Sequence, residues 1–279
     1  MRYLLFLCVF FINPPAFSST DKQLKLNESL VQSGDYYVGD VFGRQPYEEH
    51  TNVSVKSFYI MQTEVTRSLF EQITNWAIQN KLVEGDIVKH TNKAEANIAV
   101  ASVSWWDAII FSNMISRYFN LSPYYLDKSG NPIFERPKDG TVSVNESASG
   151  YRLPSIFEWQ IAARGGQEAL KNQTYGTLFA GSDQPDTVGW FPTDDLSQQE
   201  IPYIVGQKQP NELNLFDMSG NVAEWTGEVF NLDGNNVLYY YCGGSFIISD
   251  NSLANCDIHS RHHKRPDLGF RLVRYASQP

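Results

Sequence analysis

Residues 214–225, NLFDMSGNVAEW, place two acids on either side of a tight turn. The Gly-Asn pair favours such a turn because both residues tolerate the left-handed backbone region that others avoid. Asp217 and Glu224 can direct side-chain oxygens to one point, and the backbone carbonyls of Gly220 and Val222 can add to them. Oxygen ligands in this mixture suit calcium. Judged on residue types alone, two solvated acids flanking a surface turn are the simpler interpretation.

Residues 256–266, CDIHSRHHKRP, hold three of the five histidines of the chain. The histidines are His259, His262 and His263, and the cations beside them are Arg261, Lys264 and Arg265. Imidazoles suit transition metals, so a metal site is conceivable. The neighbouring cations oppose metal binding electrostatically. We therefore favour a basic loop that meets an acidic partner or the protein's own acids.

The chain has three cysteines, and Cys8 lies in an apolar leader. Cys242 and Cys256 remain once the leader is removed, and nearby thiols of an exported protein often pair under oxidising conditions. A bridge closing so short a loop would contribute ~3 kcal/mol. Two separately buried thiols are the alternative, because the sequence cannot show that the side chains face each other.

The first eighteen residues have the pattern of an export signal. Arg2 supplies the positive start, residues 3–12 supply the apolar stretch, and residues 16–18 form a small-x-small cleavage site. The apolar stretch is too short to span a bilayer. We predict a signal peptide over 1–18 and an exported protein, periplasmic or secreted, that does not span a membrane.

Composition limits the partners and the number of domains. A formal net charge of −9 argues against a nucleic-acid partner. With 42% hydrophobic and 14% aromatic residues, the chain has ample material for a packed core. No linker rich in Pro, Ser or Gly divides it, so we expect an N-terminal extension over 19–35 and one domain over 36–279.

Local patterns predict few helices and many loops. Alternating apolar and polar residues predict strands over 36–65 and, more briefly, near 201–206, 238–248 and 268–274. Three helix starts carry capping signals, at Thr66, at Ser104 with Asp107, and at Ser155 with Glu158. The first helix should end near Asn80, and Gly165-Gly166 should end the third. Residues 120–150 favour a long hairpin or loop insertion. Without βαβ alternation, this pattern indicates an irregular α+β domain.

Six ordered stretches together resemble the formylglycine-generating enzyme, or sulfatase-modifying factor, family. They are FYIMQTEVTRSLFEQ, VSWWDAIIFSN, YRLPSIFEWQIAARGG, VGQKQPNELNLFDMSGNVAEW, GGSF and LGFRLVR, within about 36–274. The resemblance implies an irregular α+β fold related to C-type lectins, with low regular secondary structure and stabilised by calcium. It also implies calcium ligation by the side chains of Asp217 and Glu224 and by the carbonyls of Gly220 and Val222. Arg152, Glu158, Trp159 and Arg164 fall in an interior-packing block and are expected to be structural.

The catalytic residues of the family do not carry over. Aerobic members hold copper with two cysteines shortly after the Gly-Gly-Ser-aromatic block. Here that block, residues 243–246, is followed by IISDNSLAN, which contains no cysteine. Cys256 matches a separate structural cysteine, and Ala223 stands where the generating enzymes usually have tryptophan. The iron-binding His-x-x-x-His-x-Glu arrangement of other members is also missing. A copper cofactor is therefore not expected.

The sequence thus predicts an exported, calcium-stabilised binding or assembly domain. Its ligand would be a peptide, protein or glycan held in a groove lined by Ser245, Phe246, His259 and Arg261 on the 256–268 loop. The alternative is a divergent oxidoreductase that modifies a protein side chain, as in the conversion of cysteine to formylglycine on sulfatases. That enzyme would need Cys242 and Cys256 in an unexpected pairing, or a metal bound by histidine.

Overall fold

The computed structural model describes residues 24–39, 51–86, 96–192, 201–231, 237–248 and 256–276. The predicted signal peptide lies outside these residues. The helices are α1 (Arg67–Gln79), α2 (Trp105–Tyr118), α3 (Ile156–Ala163), α4 (Gly166–Asn172) and α5 (Pro185–Val188). The strands are β1 (Glu28–Val31), β2 (Gly34–Val38), β3 (Thr51–Val55), β4 (Phe58–Met61), β5 (Tyr125–Leu126), β6 (Ser143–Val144), β7 (Ala223–Asn231), β8 (Val237–Cys242), β9 (Cys256–Ser260), β10 (Leu268–Gly269) and β11 (Val273–Tyr275).

The three long helices begin where their capping signals predict. Thr66 accepts a hydrogen bond from the backbone N–H of Leu69 at the start of α1. Ser104 and Ser155 each form a reciprocal capping box, with Asp107 before α2 and with Glu158 before α3. A cap satisfies backbone N–H groups that the first turn of a helix leaves unpaired. These three predictions are confirmed because each depends on residues three apart in the chain.

Two sheets connect distant parts of the sequence. The first has the order β1-β4-β11, with antiparallel pairs, and includes β1 from the segment before residue 36. The second has the order β10-β7-β8-β9, in which β10 runs parallel to β7 and the other pairs are antiparallel. The last fifty residues therefore contribute strands to both sheets.

The core consists of two clusters of buried side chains. The larger one packs α1 and α2 against β7, β8 and β10, and it is rich in aromatic rings such as Trp105, Trp106 and Trp225. The smaller one packs α3 against β2 and β4, with Trp159 fully buried at its centre. The larger cluster includes Ala223 and Trp225 and the smaller one includes Leu215 and Met218, so the 214–225 stretch lies in the interior.

Some predicted strands are absent or misplaced. Residues 201–206 form no strand, and Ile204 makes only a single bridge to Ile98. Strand β7 and strand β9 were not predicted, so part of the supposed 256–268 loop is an edge strand. The hairpin prediction for 120–150 is confirmed by the short pair β5 and β6.

The chain is a mixed α+β domain with modest regular secondary structure, as predicted. Among the described residues, no helix combines the length and the apolar composition that a bilayer crossing requires.

Candidate functional site

The turn at 219–221 is buried rather than exposed. Asp217, Gly220 and Asn221 have positive φ angles of 55°, 83° and 53°. A Cβ atom on Gly220 would lie 2.3 Å from the carbonyl oxygen of Trp190, so only glycine fits there. The side chains of Asp217 and Glu224 are 2% and 1% exposed. The interpretation of two solvated acids is therefore wrong.

Glu224 is held by a buried ion pair with Arg271 from the LGFRLVR stretch. The guanidinium donates to both carboxylate oxygens at 2.7–2.9 Å, and the indole N–H of Trp159 donates to Oε2 at 2.8 Å. Arg271 also donates to the carbonyl oxygen of Phe216 at 2.8 Å. Burial lowers the pKa of Arg271, but the charge of Glu224 and its hydrogen bonds raise it. The net result is a pKa above the ordinary value. Glu224 thus joins α3, β7 and the chain after β10.

Asp217 lies beside a third buried acid, Glu64, which the sequence analysis missed. Glu64 is 0% exposed, and its Oε1 accepts from the side-chain amide of Asn221 at 3.0 Å. Asp217 Oδ2 accepts from the backbone N–H of Gly206 at 2.6 Å. The second oxygen of each acid, Glu64 Oε2 and Asp217 Oδ1, is buried without a hydrogen-bond partner.

With all three acids ionised, their negative charge would exceed what Arg271 can balance, and the ionised forms of Glu64 and Asp217 are therefore disfavoured. Burial, then the charge of Asp217, raises the pKa of Glu64 well above its ordinary value. Burial likewise raises the pKa of Asp217 to about 6. Two unpartnered oxygens of this kind fit a hard cation. Among the described residues, no three His, Cys, Asp or Glu side chains are arranged to hold a metal ion. A calcium ion would therefore need backbone carbonyls as well as carboxylates.

Cys242 and Cys256 form a disulfide. They are direct cross-strand partners at the paired ends of β8 and β9. Neither sulfur is available as a thiolate while this bond exists, and thiolates are the ligands that select copper(I). Of the two alternatives that the sequence left open, the structure shows the disulfide and not two separately buried thiols.

The predicted groove residues Ser245 and Phe246 lie beneath the surface, at 0% and 3% exposure. The Ser245 hydroxyl donates to Asp267 at 2.5 Å and accepts from the backbone N–H groups of the next two isoleucines at 3.1 Å. Burial raises the pKa of Asp267, but hydrogen bonds from Arg265 and Ser245 hold it below its ordinary value. The geometry of Ser245 is that of a turn-stabilising residue. Whether either residue contacts a ligand remains a prediction.

A surface next to Phe246 was not anticipated from the sequence. A cavity of about 470 Å³ is lined by Trp190, Tyr203, Ile204, Gln207 and Lys208. The rings of Trp190 and Tyr203 stack at 4.0 Å, and Tyr203 meets Phe246 edge to face at 6.5 Å. The ammonium of Lys208 lies 4.1 Å from the centre of the Trp190 ring. Nothing local in the sequence marks this surface, because its residues come from segments with no regular secondary structure.

The histidine-rich stretch does not converge on one point. His259 on β9 and His263 stack face to face, with ring centres 3.3 Å apart and planes 5° apart. Nitrogen lone pairs lie in the plane of an imidazole, so those of two parallel rings do not point at a common metal ion. The structure thus gives this histidine pair no metal-binding geometry.

Two cations of the stretch meet the protein's own acids. Lys264 pairs with Asp107 at 2.7 Å, and Arg265 pairs with Asp267 at 2.7 Å. Arg261 packs over the ring of Trp106 instead, with its guanidinium carbon 4.9 Å from the ring centre. In the interior-packing block, Arg152 and Glu158 form a buried ion pair at 2.6 Å, which is a structural role.

Comparison with known proteins identifies the domain. Residues 14–276 match the model of the sulfatase-modifying factor enzyme 1-like domain. The chain is 30% identical to "Chaperone protein LppX" of Paenibacillus barcinonensis, over 98% of this chain and 99% of that protein. It is 33% identical to "Inactive C-alpha-formylglycine-generating enzyme 2" of Mus musculus over 50% of this chain, and it spans about half (49%) of that relative.

An enzyme and a solved structure are also similar. The chain is 26% identical to "Formylglycine-generating enzyme" of Mus musculus, over 77% of this chain and 62% of the enzyme. The crystal structure of CarF superimposes with a TM-score of 0.81 at 39% identity, covering 91% of this chain and 99% of CarF. The similar proteins thus include one whose name calls it inactive and one whose name calls it an enzyme.

Proposed function

The chain belongs to the family defined by the sulfatase-modifying factor enzyme 1-like domain, and we propose that it is a non-catalytic member that binds a partner protein and assists its folding or assembly. The observation that carries this proposal is the disulfide between Cys242 and Cys256. Because the only other cysteine is Cys8 in the predicted leader, the bond leaves the exported domain no thiol pair for copper and oxygen chemistry.

The names of the relatives agree with this proposal. A relative that matches over nearly the full length of both chains is called a chaperone, and another is called inactive. A fold does not by itself imply an activity, so the similarity to formylglycine-generating enzymes does not make this chain an oxidase. Whether the chain is an oxidase or a non-catalytic binding domain depends on whether its cysteines are free thiols or are bonded to each other.

We propose that calcium stabilises the scaffold. Asp217 and Glu224 would supply carboxylate oxygens, among them the buried Asp217 oxygen that lacks a partner, and Gly220 and Val222 would supply carbonyl oxygens. Bound calcium would neutralise carboxylates whose mutual repulsion Arg271 balances only in part. Glu224 would then keep its hydrogen bonds with Arg271 and Trp159, which fix the carboxylate in place.

We also propose that the protein works outside the cytoplasm, in the periplasm or beyond the cell. The leader over 1–18 supports export. A disulfide as a structural element supports an oxidising compartment. An exported folding or assembly factor would meet its partner after both chains have crossed the membrane.

The proposal is tested by coexpression with each exported protein encoded beside the gene. We expect one neighbour to reach a higher yield of folded, active protein when this chain is present. The Cys242→Ser/Cys256→Ser variant should keep that effect at temperatures where it remains folded, because the cysteines serve stability only. A copper-dependent yield that disappears in the same variant would contradict a non-catalytic role.

A further inference from the structure

The positive residues near β9 divide into two groups. Lys264 and Arg265 are neutralised by acids of the same chain. Arg261 and Arg136 are not: among the residues that the structure describes, neither guanidinium forms an ion pair. The nearby Asp139 is already paired with Lys128, at 2.8 Å.

Both arginines meet on one aromatic ring. The guanidinium carbons of Arg261 and Arg136 lie 4.9 Å and 5.7 Å from the ring centre of Trp106, which is 1% exposed. Arg261 also donates to the carbonyl oxygen of Gly140 at 2.7 Å. Arg136 comes from the loop between β5 and β6, and Arg261 comes from the turn after β9. Stacking and the carbonyl contact hold Arg261 in place, so little side-chain entropy would be lost on binding.

Two further polar groups lie at this place, the indole N–H of Trp106 itself and the imidazole of His262. The indole N–H of Trp106 is buried without an acceptor. His262, next to Arg261, is exposed, and the pKa of its imidazole is lowered by partial desolvation and then by the charges of Arg136 and Arg261. The charges of Arg136 and Arg261 thus repel a proton on His262. A negative group placed there would relieve that repulsion.

We infer that Arg136 and Arg261 form a binding site for a side-chain or terminal carboxylate in an acidic segment of the partner protein. Planar guanidiniums recognise carboxylates through paired N–H donors, and Arg261 has donors left after its bond to Gly140. The inference rests on the proposed function, since it names the kind of partner that the domain binds.

The balance of charge favours a short acidic segment over a polyanion. Two arginines can balance one or two negative charges. A nucleic acid or a heavily sulfated glycan would bring many more charges near a surface whose overall sign repels them. A carboxylate flanked by uncharged residues would meet the local potential and little of the long-range repulsion.

A direct binding measurement tests the inference. A short fluorescein-labelled peptide with two Glu residues separated by Gly is titrated with the folded domain at low ionic strength, and the same peptide with Gln in place of Glu serves as the control. We expect the acidic peptide to bind and the control peptide not to bind. Arg261→Gln and Arg136→Gln should each weaken binding by about tenfold or more, the loss expected for one charged hydrogen-bonding group.

The control variant Lys171→Gln removes one positive charge from an exposed pair with Glu168, and its affinity should change by less than about twofold. Since Arg136 is exposed, its variant keeps the test valid if Arg261→Gln folds poorly. Equal affinity of both arginine variants and the wild type would overturn the inference. The inference would also be overturned if the domain showed no binding of the acidic peptide but bound inorganic sulfate through the same two arginines. This readout is binding alone, so it fails or holds separately from the coexpression test.

Discussion

Cys242 and Cys256 are cross-strand partners at the end of β8 and the start of β9, and their sulfur atoms are bonded to each other. The sequence resemblance implies that the copper-dependent members of the family hold their metal with two thiols shortly after the diglycine. While this bond exists, neither sulfur is available as a thiolate, the ligand type that selects copper(I).

The disulfide should stabilise the fold by restricting the unfolded chain, by an amount that grows slowly with the length of the loop that it closes. Its cysteines are 14 residues apart, and a loop of this size corresponds to ~3 kcal/mol of unfolding free energy. The Cys242→Ser/Cys256→Ser variant should therefore unfold at a lower urea concentration, and its unfolding free energy should be lower by about the same amount. A reductant should lower the stability of the wild type and leave the variant unchanged. Two reactive thiols in the native, unreduced protein would contradict the assignment.

Calcium should raise the stability of the wild type. At a calcium concentration a hundredfold above Kd, the gain in unfolding free energy is about 2.7 kcal/mol, and a chelator should reverse it. Asp217→Asn should lose most of this response, because its unpartnered oxygen is a proposed ligand. Asp186→Asn, at an exposed acid, is the matched control. Thermal unfolding with and without calcium measures both, and an identical response of the two variants would remove the cation site from the account.

The buried pair of Glu224 and Arg271 should be costly to break from either side. Both side chains are at most 1% exposed, and removing one partner leaves a buried charge without compensation, at a cost of roughly 3–5 kcal/mol. We expect Arg271→Met to lose this much unfolding free energy in urea titration. Lys171→Met, which breaks an exposed pair, should lose no more than about 1 kcal/mol. Similar losses for the two variants would mean that the buried pair is not a central support.

Ser245 should matter for stability rather than for ligand contact. Ser245→Ala removes an acceptor for two backbone N–H groups and a donor to Asp267, which predicts a loss of about 1–3 kcal/mol. Ser129→Ala, at an exposed serine, should have little effect. Partner-dependent yield should be unchanged wherever the variant is folded. A stable Ser245→Ala protein that has lost its partner would instead place the hydroxyl in a binding groove.

Asp267 adds a pH dependence with a definite sign. Its pKa in the folded protein is held below the ordinary value of 3.8. The stabilisation is therefore fully present above pH 3.8 and is lost as the pH falls through the lower, folded-state pKa. Asp267→Asn should be less stable than the wild type near neutral pH, and the difference should shrink in acid. Urea unfolding at several pH values measures this, and a difference that grows as the pH falls would reverse the assigned sign.

The sequence predicted the features that depend on neighbouring residues. The caps at Thr66, Ser104 and Ser155 join residues three apart, so their signals were readable and correct. The diglycine block and the missing cysteines after it were equally visible. Strand β7 was missed because its burial does not alternate along the chain: residues 223–226 are all buried, and residues 227–231 are exposed or half-buried.

The site itself depends on contacts that are distant in sequence. Glu64 reaches Asn221 across 157 positions, and Arg271 reaches Glu224 across 47. The sequence analysis treated Asp217 and Glu224 as equivalent ligands, whereas in the structure one has an unpartnered oxygen and the other is paired with arginine. The disulfide could not be decided from the sequence for the same reason, since it depends on the pairing of β8 with β9.

The most direct test of the central claim is an oxidation assay on a peptide with the cysteine motif of a sulfatase. The purified, unreduced domain is supplied with copper and oxygen, and aldehyde formation is measured by hydrazide labelling, with an active formylglycine-generating enzyme as the positive control. The account predicts no aldehyde above the level without protein. Aldehyde that forms with the wild type and disappears in Cys242→Ser would contradict it.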